Sequence, residues 1–341
     1  MKILFDNQCF YLHGKGGISR YIANLIKSLQ KIEGVEVIFQ PHQVYEFFAH
    51  DKSFKTISIK GYNRFKLERN KKRDLAFVRE NIDKVDWYFP TYYHPDFIQF
   101  LGKTPTALII HDMIHEVLPN ESNNADLHSS WKKAYIEKSS KYFTVSDNTK
   151  ADLNHIYPAT LDKTYIIYPG FFFEDIKSTP IVIPEKYFLY VGGRSFYKNF
   201  EMLLDKKVID LCSTIVCVGG GQFSAGEKKK IKSLTAINHF IHLRPNQSEL
   251  RFLYENASAY ISTSKYEGFG LPVLEAIECG TKLILRDTKI YREITQNNAA
   301  YFSDAESLVE VLKDENNEQP QINTAEYNWN KSAQKLVDLL V

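Results

Sequence analysis

Short apolar runs, rich in β-branched and aromatic residues, recur along the chain with amphipathic stretches between them. In the first half they predict strands at Lys2–Asp6, Val35–Gln40, Lys55–Ile59, Trp87–Phe89, Ala107–His111, Tyr142–Val145 and Tyr165–Tyr168. In the second half they predict strands at Tyr187–Val191, Ile215–Val218, Phe240–Leu243, Ala259–Ser262, Lys282–Leu285 and Ala300–Phe302. Runs such as ALIIH and KLILR show no polar alternation, so they need cover on both faces, as in a parallel sheet. Between the runs the spacing turns helical. Ile18, Ile22, Leu25, Ile26 and Leu29 make one apolar stripe, and Leu250, Leu253 and Ala257 another. Strand–helix alternation on both sides of a midpoint predicts two open α/β domains. Residues 169–184, PGFFFEDIKSTPIVIP, show no period and read as a linker. A final helix is expected over roughly Ala325–Leu340. The expected division is 1–172, 173–325, and a C-terminal helix 326–341 packing back toward the first domain.

Composition narrows the function classes. A length of 341 residues suits two ordinary domains, and 44% hydrophobic with 25% charged residues excludes global disorder. A net charge of +2 gives no support to the broad basic face that nucleic-acid binding needs, though local patches fit it. Cys9, Cys212, Cys217 and Cys279 form no C-x-x-C pair and read as small buried hydrophobes in a reducing compartment. The start, MKILFDNQ, reads as a strand rather than a signal segment, and no run approaches the ~18 apolar residues of a membrane span. A cytoplasmic location is expected. One patch complicates that picture: residues 63–80, NRFKLERNKKRDLAFVRE, read either as a solvated basic helix or as a peripheral contact with an anionic membrane on its inner face.

Four motifs carry candidate chemistry. Glu267-Gly268-Phe269-Gly270-Leu271-Pro272-Val273-Leu274-Glu275 follows a strand and opens a helix. Its glycines let backbone approach a ligand, Pro272 suits a first helical turn, and the positive helix end favours a phosphate. Glu275, expected in that first turn, can accept from the two hydroxyls of a ribose. In YVGGRSFYKN, a strand empties into a glycine turn carrying Arg194 and Lys198, two cations suited to a diphosphate. Gly16 and Gly17 form a double-glycine turn before the first amphipathic helix, but Ser19 breaks the G-x-G-x-x-G dinucleotide pattern. His111-Asp112 ends the strand ALIIH, where open α/β sheets bind ligands. His111 and His115 have H-x-x-x-H spacing, but a strand-then-loop reading of the segment argues against a metal. The phosphate-loop pattern also fails: Gly221 and Gly226 have the spacing, but Glu227 follows.

Taken in order, these motifs resemble the retaining GT-B glycosyltransferases of family 4. GGISRY, HDMIHEVLP, VSDNTKADL, YVGGRSFYKN and VCVGGG resemble successive family motifs, and residues 248–280 resemble the donor-site block with its E-x7-E spacing. The resemblance implies an α/β fold of GT-B type, with two Rossmann-like domains facing each other across a cleft. It implies a nucleotide-sugar donor, a saccharide or lipid-linked acceptor, and no metal or other cofactor. Glu275 would then bind the ribose and Glu267 the donor sugar. Arg194 and Lys198 would hold the diphosphate with the backbone of Gly268, Phe269, Gly270 and Leu271. Gly16 and Gly17 would approach the phosphates, and His111 would line the site near the transferred sugar. The competing readings are a nucleotide-sugar epimerase and a non-catalytic sugar-nucleotide-binding protein of the same fold.

Overall fold

The computed structural model describes residues 1–14, 16–40, 64–173, 176–194, 196–212, 214–234, 239–314 and 321–341. The expected strand Lys55–Ile59 lies outside them, as does Asn63 at the start of the basic segment. The chain divides into two compact units, Met1–Gly170 with Glu326–Val341, and Phe171–Ala325.

The first unit is built on strands β1 (Lys2–Phe5), β2 (Glu36–Ile38), β3 (Trp87–Phe89), β4 (Ala107–Ile110), β5 (Lys141–Thr144) and β6 (Thr164–Ile166). They form two parallel three-stranded sheets, β2-β1-β3 and β4-β5-β6. A parallel bridge from Tyr88 to Thr106 links them, and Tyr88 N–H donates to Pro105 O at 2.9 Å. The continuous apolar run of β4 is buried at all four positions, as its lack of alternation requires. Helix Gly17–Leu29 turns its stripe inward and buries Tyr21, Ile22, Leu25, Ile26 and Leu29. Helix Trp329–Leu340 packs against it and buries Ala333, Leu336 and Leu340, with the Trp329 and Tyr21 rings 5.2 Å apart. That last helix starts later than its spacing predicts, because the Asn328 side chain caps it by accepting from Lys331 N–H.

The second unit holds β7 (Phe188–Val191), β8 (Ile215–Val218), β9 (Phe240–Leu243), β10 (Ala259–Ser262), β11 (Leu283–Arg286) and β12 (Ala300–Phe302). All pair in parallel, in the order β12-β11-β10-β7-β8-β9. The chain builds outward from β7 to β9, then returns to the other side of β7 and builds outward to β12. Loops leaving β7 and β10 therefore diverge, which opens a crevice at their carboxyl ends. The expected linker has neither helix nor strand among its described residues, yet it is pinned. Phe172 and Phe173 N–H groups donate to the Glu278 carboxylate at 2.9 and 2.8 Å. Arg251 donates to Phe173 O and Ile176 O, both at 2.7 Å.

Candidate active site

The loops after β7 and β10, with the helix that follows β10, carry the residues singled out in the second unit. After β7 come Gly192 and Gly193, then the short helical turn Phe196–Lys198. After β10 come Thr263 to Gly270, then helix Leu271–Glu278. The two loops are tied together: Thr263 Oγ1 donates to Lys198 O at 2.7 Å, and Lys265 N–H donates to Tyr197 O at 2.8 Å. Lys198 Nζ consequently reaches Glu267 Oε1 at 2.5 Å, with both side chains about a fifth exposed. A half-open ion pair of this kind can exchange partners with a charged ligand at modest cost, unlike a fully buried one.

Gly270 caps the following helix in a left-handed conformation, φ 97°, and no side chain caps that terminus. The positive end of the helix thus stands at the crevice. Because Gly270 is the cap and Leu271 the first helical residue, Glu275 falls one turn later than the sequence suggests. It is fully buried and accepts from Tyr254 OH at 2.8 Å. Phe269 is buried as well.

Arg194 is placed differently from a diphosphate fork. Its side chain is 4% exposed, and every guanidinium nitrogen has a protein partner. Nε donates to Glu227 Oε1 at 2.8 Å and Nη1 to Gly219 O at 2.9 Å. Nη2 donates to Gly221 O at 2.8 Å and Gln222 O at 3.0 Å. Phe223 covers the guanidinium, its ring centroid 4.7 Å from Cζ. Beside it lies a cavity of about 630 Å³, lined by residues that include Phe196, Asn199, Gln222, Ser224 and Lys265.

The remaining candidates sit in the first unit. Gly16 caps helix Gly17–Leu29 without a side-chain acceptor, and Ser19, which broke the dinucleotide pattern, donates to Cys9 O at 3.0 Å. His111 follows β4 directly, edge-on to Tyr21 at 5.2 Å. Its Nε2 is buried with no partner among the described residues. Burial pushes the imidazole pKa down to about 4, so it is neutral near pH 7 and can donate or accept. Burial alone would raise the Asp112 pKa, but Lys132 and the Ile114 N–H outweigh it and hold it below the usual carboxylate value. The segment expected as loop contains one helical turn, Ile114–Val117, which carries His115. Among the described residues no group of three or more His, Cys, Asp or Glu side chains could hold a metal ion.

Two devices escaped the sequence reading. Asp6, just past β1, accepts from Tyr88 OH, Thr91 Oγ1 and Gln8 Nε2, each at 2.6 Å. Asp74 holds the neighbouring Asn7 through its N–H at 2.9 Å. The basic segment is helix Arg64–Asn81, which turns Asp74 inward while Arg69, Lys72 and Arg79 stay exposed. Glu227 is the other: it was met only as the residue that spoils a phosphate loop.

Sequence profiles of two families match the chain: Glycosyltransferase Family 4 over residues 15–172 and Glycosyl transferases group 1 over residues 171–334. A curated relative, the O-antigen chain mannosyltransferase RfbU of Salmonella typhimurium, is 28% identical over 175 residues, 50% of this chain. The chain spans about half the length of that relative, 48%. Among solved structures, Anabaena HepE in complex with UDP and glucose superposes with a TM-score of 0.69 at 15% identity, over 100% of this chain and 97% of that one. Sucrose-phosphate synthase of Thermosynechococcus elongatus gives 0.73 at 15% identity, over 99% and 97%. These likenesses establish a GT-B fold.

Proposed function

The chain belongs to the group 1 glycosyltransferases, and from that premise we propose that it moves a hexose-type sugar from a UDP- or GDP-linked donor to a hydroxyl of a saccharide or lipid-linked acceptor. The observation that carries this reading is the Lys198–Glu267 pair, held at the carboxyl ends of β7 and β10. The bond from the anomeric carbon to the donor phosphate oxygen breaks. A bond from that carbon to the acceptor oxygen forms on the same face, and the acceptor proton leaves with the departing phosphate. Configuration is retained. Charge grows on the phosphate, and fixed donors aimed at it lower the barrier. Lys198 and the positive end of helix Leu271–Glu278 supply that field, so the reaction as proposed calls for no metal. In this reading Glu267 accepts from donor sugar hydroxyls once Lys198 turns to phosphate. The neutral His111 imidazole suits a sugar hydroxyl.

The named activity of RfbU supports assembly of a surface polysaccharide as the setting. No helix among the described residues is long and apolar enough to cross a membrane. The exposed cations of helix Arg64–Asn81 support peripheral contact with anionic lipid at the cytoplasmic face. The test is a nucleotide screen by thermal shift, followed by transfer assays with the matching nucleotide sugars. Lys198→Ala should lower turnover by roughly 10²–10³-fold with its melting temperature kept. Wild-type turnover in that variant rejects the site. Conversion of the sugar nucleotide into its epimer without any acceptor identifies an epimerase instead.

A further inference from the structure

The Arg194 guanidinium sits where three strands end. It leaves β7 and reaches the turn after β8, where Gly219, Gly220 and Gly221 are all left-handed at φ 83°, 64° and 72°. Such a run directs successive carbonyls inward, and they converge on one cation. His242 of β9 lies 3.1 Å from the Gly219 carbonyl through Nε2. The packing leaves no slack. A methyl on Gly220 would stand 2.9 Å from Arg194 Nη1 and 3.0 Å from Gly192 O, and one on Gly219 would stand 3.3 Å from Gly192 O. The glycine turn after β8 therefore presses on the glycine turn after β7.

Glu227 fixes this arrangement from outside. It caps helix Ala225–Ser233 with Ser224: Ser224 N–H donates to its Oε2 at 2.6 Å, while Oε1 receives Arg194 Nε at 2.8 Å. One carboxylate thus joins the start of a helix to the guanidinium. Its pKa stays below the usual value: burial opposes this, but the Ser224 N–H and Arg194 outweigh burial.

We propose that Glu227 is a positioning residue of the donor site: it locks Arg194 into the Gly219–Gln222 turn as a brace, and this braced turn, rather than a direct contact from Arg194 to phosphate, sets the shape that receives the nucleoside and its inner phosphate. The inference rests on the proposed function, since it concerns the same donor site. Its physical content is a division of labour between cations. Lys198, half-open and paired to one carboxylate, meets the diphosphate, whereas Arg194 is committed to carbonyls and acts through backbone.

Calorimetric titration separates the two roles. The probes are UDP and UMP, or GDP and GMP if the wild-type chain prefers guanine. A residue that touches the outer phosphate contributes to the diphosphate alone, so its loss shrinks the ratio of diphosphate to monophosphate affinity. A brace contributes to both, so its loss lowers both and leaves the ratio. Glu227→Ala and Arg194→Ala should each weaken both nucleotides by about tenfold with the ratio unchanged. The Glu227→Ala/Arg194→Ala double variant should be no weaker than Arg194→Ala alone. Glu227→Gln, which keeps an acceptor for Nε, should recover much of the affinity at the wild-type melting temperature. Lys198→Ala should shrink the ratio. The proposal is overturned if Arg194→Ala shrinks the ratio, or if Glu227→Gln and Glu227→Ala both bind like wild type. Failure of the wild-type chain to bind any of the four nucleotides would instead reject the proposed function.

Discussion

Gly270 gives the sharpest quantitative test of how the candidate site is held. It caps helix Leu271–Glu278 at φ 97°, where an L-residue with a Cβ carries a strain of about 1–2 kcal/mol. An added methyl would also stand 3.0 Å from Cε1 of Tyr291 and 3.6 Å from Cδ1 of Ile294. Tyr291 cannot give way easily, because it is buried and its hydroxyl is hydrogen-bonded to Ser262 at 2.6 Å. Overpacking of that kind adds about 1–3 kcal/mol. Gly270→Ala should therefore lose about 3 kcal/mol, which lowers the melting temperature of a unit this size by roughly 6–12 °C. Gly226→Ala is the matched control. Its methyl would meet nothing nearer than Ser224 Oγ at 4.0 Å, and its backbone has no left-handed φ. Inside helix Ala225–Ser233 it should gain about 0.5–1 kcal/mol. Calorimetric melting of the three chains reads both shifts. If Gly270→Ala melts within about 1 °C of wild type, the tight cap is not a real constraint and the reasoning fails.

Three further outcomes follow from buried contacts. Tyr254→Phe removes one donor to buried Glu275 and should cost about 1–3 kcal/mol in a urea titration, and no change would mean that carboxylate is satisfied without it. Asp6 has its pKa raised from 3.8 to about 7, first by burial and then by Asp74. A raised carboxyl contributes stability fully below the unfolded value and loses it as pH climbs through the folded one. Relative to Asp6→Asn, the wild-type chain should thus lose about 1.4 kcal/mol per pH unit between pH 4 and 7, and a pH-independent difference refutes this. Gly170→Ala would place a methyl 2.4 Å from the Trp329 backbone N. It should loosen helix Trp329–Leu340, read as faster proteolysis near residues 321–328 and red-shifted tryptophan emission, whereas wild-type protection would show that the fit is not needed.

Much of this architecture was legible because its signals are local. Strands buried on both faces announce themselves by unbroken apolar runs, and β3, β8, β9, β10 and β12 begin and end where the runs do. The Glu267–Glu275 block was readable because glycines, proline and carboxylates lie within nine consecutive residues. What escaped depends on distance along the chain. Arg194 meets Glu227 33 residues later, and no spacing rule reveals that its partner is a run of backbone carbonyls. Asn7 finds Asp74 across 67 residues. Helix Gln8–His13 was missed because four of its six residues are buried, which erases the polar face that a stripe needs. The phase of Glu275 shifted by a turn because Gly270, with no side chain to signal a cap, sets the helix start through its left-handed backbone.

The first unit is discontinuous, since residues 326–341 complete it after the whole of 171–325. On a ribosome, which delivers the chain from its N-terminus, the two units therefore finish in the reverse of their order of appearance. Residues 171–325 can close as a contiguous block while helix Gly17–Leu29, already made, still lacks the helix that covers it. During that interval the surface that the last helix covers is open to water, and to chaperones that bind exposed apolar surface. Synthesis of residues 326–341 then completes the earlier unit.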